Sequence, residues 1–194
     1  MYDVVKEFLL VFFDLFKFLR KKKKTLKETI EIGNKVDSVL EQLLEDTSAD
    51  RAYVFQFHNG DYFYSGLSID KMTNTHEKVS QGISYEQLKY RDVATAPFRY
   101  LIGKIISKPA YCFSNTNDIP HYNTKLMMID RGVRAAIFAP MNDNVRRPVG
   151  FIGLDYVKDV KENIESEDSN DAIKLIEASE AIYELLVFGK QKSR

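Results

Sequence analysis

Residues Arg131 to Lys158, RGVRAAIFAPMNDNVRRPVGFIGLDYVK, constrain the fold of this chain more than any other stretch, because they read as one complete β-hairpin. Val133 to Pro140 is an apolar run with β-branched and aromatic members. Asn142-Asp143-Asn144 is a turn signal, and Val149 to Val157 is a second apolar run holding two glycines. Two buried strands need a cover. The spacing predicts that cover on either side of the hairpin. A short helix over Asn123 to Arg131 precedes it, and a long helix over Ala172 to Phe188, capped by Ser169 or Asn170, follows an acidic loop, KENIESEDSND.

Composition sets the outer limits. A chain of 194 residues with 44% hydrophobic and 29% charged residues holds one domain of ordinary size and an appendage. Lys+Arg and Asp+Glu stand at 28 each, so no global field favours nucleic acid or an acidic substrate. Cys112 is the single cysteine, which excludes an intramolecular disulfide or a zinc site built on several thiolates and fits a reducing, cytoplasmic setting. The basic run follows the first apolar stretch and no small-residue cleavage site comes next, so no secretory signal is read.

The charge is unevenly placed. Met1 to Lys27 carries eight basic and three acidic residues, a net +5 that the remainder must balance. Val4 to Leu19 lacks glycine and proline and reads as a helix. Its polar residues fall on one narrow side, while Phe8, Leu9, Phe12, Leu15, Phe16 and Leu19 belong to a wide apolar face. Arg20, Lys21, Lys22, Lys23 and Lys24 follow directly. At 1.5 Å per residue the helix rises roughly 24 Å, short of a bilayer core of about 30 Å. Three readings stay open: a strained membrane span, an interfacial helix whose basic cluster meets anionic headgroups, and a helix buried in an oligomer or partner. Residues 1–24 are thus a membrane or assembly arm, 25–188 the folded body and 189–194 a basic tail. In the membrane readings the body lies on the cytoplasmic side, peripheral to the inner membrane.

In the body, Thr25 to Asp46 has helical periodicity, with Thr25 and Glu28 as a capping box. Arg51 to Phe57 alternates as a strand, Tyr53, Phe55 and Phe57 pointing one way and Ala52, Val54 and Gln56 the other. His58-Asn59-Gly60-Asp61 reads as a tight turn, and Tyr62 to Leu67 as the returning strand. Ser68 to Gln81 is polar and is expected to cross the sheet, Ile83-Ser84 to open a third strand region, Pro97 to start a helix, and Tyr111 to Phe113 to form a short strand.

The order helix, Arg131-Gly132-Val133-Arg134, strand ending in Ala139-Pro140, turn, strand carrying Gly150-Phe151-Ile152-Gly153-Leu154-Asp155, closing helix resembles the second half of a GAF domain. Ala52 to Gly60 is similar to that family's first core strand and turn, so the resemblance spans about Leu26 to Phe188. It implies an α/β (α+β) fold with a central antiparallel sheet flanked by helices, here with the N-terminal apolar helix added. It also implies a non-enzymatic regulatory module, dimeric through Thr25 to Leu44 and Ala172 to Phe188.

The resemblance places a ligand pocket between the sheet and the segments crossing it. The candidate set is Phe57, His58, Asn59, Tyr64, Thr75, His76, Ser114, Asn115 and Asp118, suited to a small polar molecule such as a nucleotide with Phe57 or Tyr64 under its ring. No convincing copy of the cyclic-nucleotide signature is present. One GAF-like enzyme class reduces free methionine sulfoxide with several cysteines, which a chain with Cys112 alone does not supply. Cys112 lacks the neighbouring histidine expected of a bilin site and reads as a core residue. His58, His76 and His121 lack the close spacing of metal-binding helices, and no metal or cofactor is expected. An ion pair of Arg134 with Asp155 across the hairpin is the structural reading of those two charges. Two further functions remain open. One is a structural or membrane-active assembly protein of the phage type, whose body only sets oligomer size. The other is a nucleotide-acting enzyme using His58, His76 and Asp61.

Overall fold

The computed structural model describes residues 24–62, 68–158, 164 and 168–189. The expected arm helix, Arg20 to Lys23 of its basic cluster, Tyr64, most of the acidic loop and the basic tail lie outside the described residues. Contacts divide the chain into a unit ending at Glu31 and a second running from Ile32. In the first, the capping box forms as its spacing predicts: Thr25 N donates to Glu28 Oε2 at 2.7 Å and Glu28 N to Thr25 Oγ1 at 3.2 Å. This opens helix α1, Leu26–Asp46.

The second unit is built on one six-stranded antiparallel sheet in the order β3-β2-β1-β6-β5-β4. Its strands are β1 Arg51–Tyr62, β2 Ser68–Val79, β3 Val93–Ala94, β4 Tyr111–Phe113, β5 Ala135–Asn142 and β6 Pro148–Tyr156. Helices α2 (Arg99–Ile106) and α3 (Tyr122–Asp130) precede the β5–β6 hairpin, and α4 (Asn170–Phe188) closes the chain. Ser169 is the cap of α4, its side chain accepting from Ala172 N. The class is α+β, as the sequence resemblance implies.

Strand alternation sorts the apolar residues into two cores. Ala52, Val54, Ile137, Ala139, Ile152 and Leu154 pack with Val36, Leu40 and Leu43 of α1 and with Leu175, Ile182 and Leu185 of α4. On the other face Tyr53, Phe55, Phe138 and Phe151 meet Leu101 and Ile105 of α2 and Met128 of α3. Both faces of β5 and β6 are therefore dry, which is why their sequences are apolar runs instead of alternations. Cys112 is half-buried in β4 and packs against the first core.

Three expectations are corrected. Asn59-Gly60 does not turn the chain: β1 runs on to Tyr62 with a register shift between Asn59 and Asp61, and the returning strand is Ser68–Val79, the stretch read as a crossing segment. β6 accompanies β1 only from Arg51 to Gln56. Beyond it β1 pairs with β2 alone, and β2 is polar along most of its length, so it looks like loop in the sequence. Ile83-Ser84 is irregular, and the third strand is Val93–Ala94. Ala136, not Arg134, stands opposite Asp155.

Candidate functional site

The expected ligand residues fall in separate places. Phe57 is half-buried on the second face, its ring 6.0 Å from Phe151. His58 and Asn59 are exposed on the ribbon, His58 Nε2 lying 3.0 Å from Thr73 Oγ1 and 3.7 Å from Asp92 Oδ1. Thr75 accepts from Gln56 Nε2 at 2.8 Å. His76 turns towards α1, where a Cβ on Gly33 would lie 3.7 Å from its Nε2, and burial pushes its imidazole below the ordinary value. Ser114 and Asn115 line a cleft of about 510 Å³ with Arg134, and Asp118 is exposed. Among the described residues these groups do not converge on one cavity, and no group of three acidic, histidine or cysteine side chains is placed to hold a metal.

A different set does converge. Arg51 at the start of β1 is fully buried. Its Nη1 donates to Asp155 Oδ2 at 2.7 Å, its Nη2 to Ser84 O at 3.1 Å, and its Nε lies 3.4 Å from Glu77 Oε1. Arg131, which ends α3, donates from Nη2 to the same Asp155 oxygen at 2.7 Å. Tyr53 Oη donates to Asp155 Oδ1 at 2.9 Å. Glu77 accepts from Glu86 N at 2.8 Å and Asn74 Nδ2 at 2.6 Å. Two guanidiniums thus meet two carboxylates, and charges out of water persist only when balanced in this way. Arg131 also lies over the rings of Tyr53 and Tyr90, at 4.6 and 5.2 Å.

The electrostatics follow from burial and pairing. Burial raises the Tyr53 phenol well above its ordinary value, and the adjacent Asp155 charge adds to the effect. Burial alone would lower Arg131, but the field of Asp155 and Tyr53 holds it above its usual value. Glu77 is raised by burial, against the pull of the Glu86 N–H and Arg51. Arg51, Tyr53, Glu77, Arg131 and Asp155 are all buried.

The two motifs that carry the family resemblance meet here. Arg131 of Arg-Gly-Val-Arg is the partner of Asp155 of Gly-Leu-Asp, and Arg51, Glu77 and Glu86 complete the cluster. The partner of Asp155 is thus Arg131, three positions before the Arg134 that the sequence suggests. The available signal was the position of Arg131 at a helix end before Gly132, whose φ of 69° reverses the chain towards the sheet.

Next to the cluster the second face is filled by rings. Phe55 stacks on Phe151 at 4.8 Å, Tyr90 meets Phe55 at 6.0 Å and Phe98 at 6.5 Å, and Phe138 meets Phe151 at 6.2 Å. A cleft of about 920 Å³ lies on the opposite side, between α1 and α4. Lys35, Ser38, Val39, Gln42 and Asp46 line it from α1, and Lys174, Glu177, Glu180, Ala181 and Glu184 from α4. Lys174 Nζ donates to Asp46 O, so the start of α4 lies against the end of α1.

The fold is that of a GAF domain. The blue-light absorbing form of the PixJ GAF domain of Thermosynechococcus elongatus superposes with a TM-score of 0.59 at 15% identity, covering 86% of this chain and 94% of that one. GAF3 from Slr1393 of Synechocystis sp. PCC6803, in its photoproduct state, gives 0.58 at 14%, covering 81% and 94%. A GAF domain region from Geobacter sulfurreducens PCA gives 0.52 at 15%, covering 79% and 95%. No family model and no curated protein matches the sequence. The particular member of this fold class is therefore defined by its own side chains.

Proposed function

We propose that this protein is a non-enzymatic GAF-type module that acts by self-association through α1 and α4, carried to an anionic membrane surface or a larger assembly by its N-terminal arm. The observation that carries the reading is the cleft between α1 and α4. It is open, while the second face of the sheet is closed by stacked rings and a charge-balanced cluster. Its occupant is a second copy of the chain. Lys35 and Lys174 stand on the same surface as Asp46, Glu177, Glu180 and Glu184, so a two-fold partner brings lysines opposite carboxylates from an identical face. Val39 and Ala181 supply the apolar centre.

The scattered histidines argue against turnover, and the small-molecule role of the fold is secondary here to assembly. The neighbouring light-absorbing domains say nothing direct of a pigment, and Cys112 packs into the first core, away from the ring-filled face. No described helix is long and apolar enough to cross a membrane. The arm helix lies outside the described residues, and its wide apolar face followed directly by Arg20 to Lys24 supports an interfacial helix with the basic run on the headgroups. Light scattering on the full chain gives a dimer mass, and Ala181→Glu, which puts a charge at the centre of the contact, gives a monomer with an unchanged circular dichroism spectrum. A monomeric wild type across a dilution series ends the reading. Flotation with anionic liposomes tests the arm: the full chain floats and salt releases it, whereas a chain starting at Thr25 stays in solution. Equal flotation of both removes the tether.

A further inference from the structure

We propose that residues 80–92 are a hinged lid over the ring-filled face of the sheet, latched by Arg51, Glu77 and Gln87, and that lifting this lid uncovers the aromatic layer without disturbing the strands. The segment has one 3-10 turn, Gln87–Tyr90, and no strand of its own. Most of its ties to the sheet are made through side chains. Arg51 Nη2 holds Ser84 O at 3.1 Å and Glu77 Oε1 holds Glu86 N at 2.8 Å. Gln87 Nε2 holds Thr75 O at 2.7 Å, and Thr73 Oγ1 holds Asp92 N at 2.9 Å. Such clips release one at a time, unlike a strand ladder.

Both ends are built as hinges. Gly82 has a φ of 83° with open space where a Cβ would stand, and Asp92 has a φ of 57°, so the chain reverses in the left-handed region at each end. The underside carries Tyr90, edge-on to Phe55 and beneath Arg131. The outer side carries Tyr85 and Leu88, 61% and 85% exposed, which gain nothing from the closed position. Closure also leaves Arg131 Nε and Asn74 Oδ1 buried without a hydrogen-bond partner. Those atoms are hydrated when the lid lifts, so the closed state is held by clips and opposed by its own desolvated groups.

Hydrogen–deuterium exchange on the full chain, with an anilinonaphthalene dye that fluoresces on apolar surface, tests the lid. Gln87→Ala removes one clip at a half-buried position, and Glu77→Ala removes the acceptor for Glu86. In either variant amides of 80–92 exchange about tenfold faster while those of β1 and β6 keep their wild-type rates, and dye fluorescence rises with unchanged circular dichroism. Gln87→Ala keeps the test decisive if Glu77→Ala fails to fold. Faster exchange of lid and strands together, or lid exchange without a gain in dye binding, overturns the proposal.

Discussion

Arg51 and Asp155 stand opposite one another on β1 and β6, 104 positions apart in the chain, and with Arg131 and Glu77 they put two positive and two negative charges in the dry interior. Such a cluster is hard to see in a sequence. Each member, taken alone, is a polar residue beside a strand or helix end, where a solvated charge is the ordinary reading, and partners so distant give no periodic signal. The apolar residues were legible because their spacing is local: Tyr53 and Phe55 lie on one face of β1 and Ala52 and Val54 on the other, as the alternation predicts. Glu77 gives the cluster a pH signature. Its carboxyl is raised above the ordinary value of 4.5 by burial, so the folded protein favours its neutral form. That contribution is complete below the unfolded value and is lost as pH rises through the raised folded one. Glu77→Gln has no proton to lose. Urea midpoints measured from about pH 4 to about pH 8 should shift in favour of the variant as pH climbs. A wild type that instead gains on the variant over that range would show that ion pairing with Arg51 outweighs burial.

Among the elements, the β5–β6 hairpin was readable because both its faces are covered, leaving an uninterrupted apolar text on each strand. β2 was not, because polar Asn74 and Glu77 take buried positions in it, so the strand shows no alternation of apolar and polar residues. Exposed Asn59-Gly60 looked like a turn because that dipeptide is a hairpin signal, when it is an irregularity in a continuing strand. The glycines of β6 have a steric cause. A Cβ on Gly150 would come 2.1 Å from Phe55 O, and one on Gly153 would come 2.4 Å from the Tyr53 ring. β1 lies too close for side chains at either position. Gly150→Ala is expected to destabilise the fold by about 1–3 kcal/mol through overpacking against backbone. Gly103→Ala, at an exposed position of α2 with nothing within 4 Å, should be neutral or stabilise by up to about 1 kcal/mol. Thermal melts of the two variants check the contrast, and similar losses at both sites would refute the close-approach account.

For the whole molecule, the GAF fold was legible because motif order is a property of the chain, whereas the candidate ligand set was assembled from a pocket expected by resemblance. The structure distributes that set among the ribbon, the α1 side of β2 and the cleft at Ser114, and concentrates charge elsewhere. The cleft between α1 and α4 is open, and the central claim is that a second copy of this chain occupies it. Thiol cross-linking tests that geometry most directly. Ser38→Cys places a thiol on the exposed α1 wall of the cleft, and Val145→Cys places one at the exposed tip of the β5–β6 hairpin, on the full chain with Cys112→Ser. The account predicts a covalent dimer from the Ser38 variant under mild oxidation and monomer from the Val145 variant. Cross-linking at Val145 alone, or at neither position in a protein that remains folded, would contradict it.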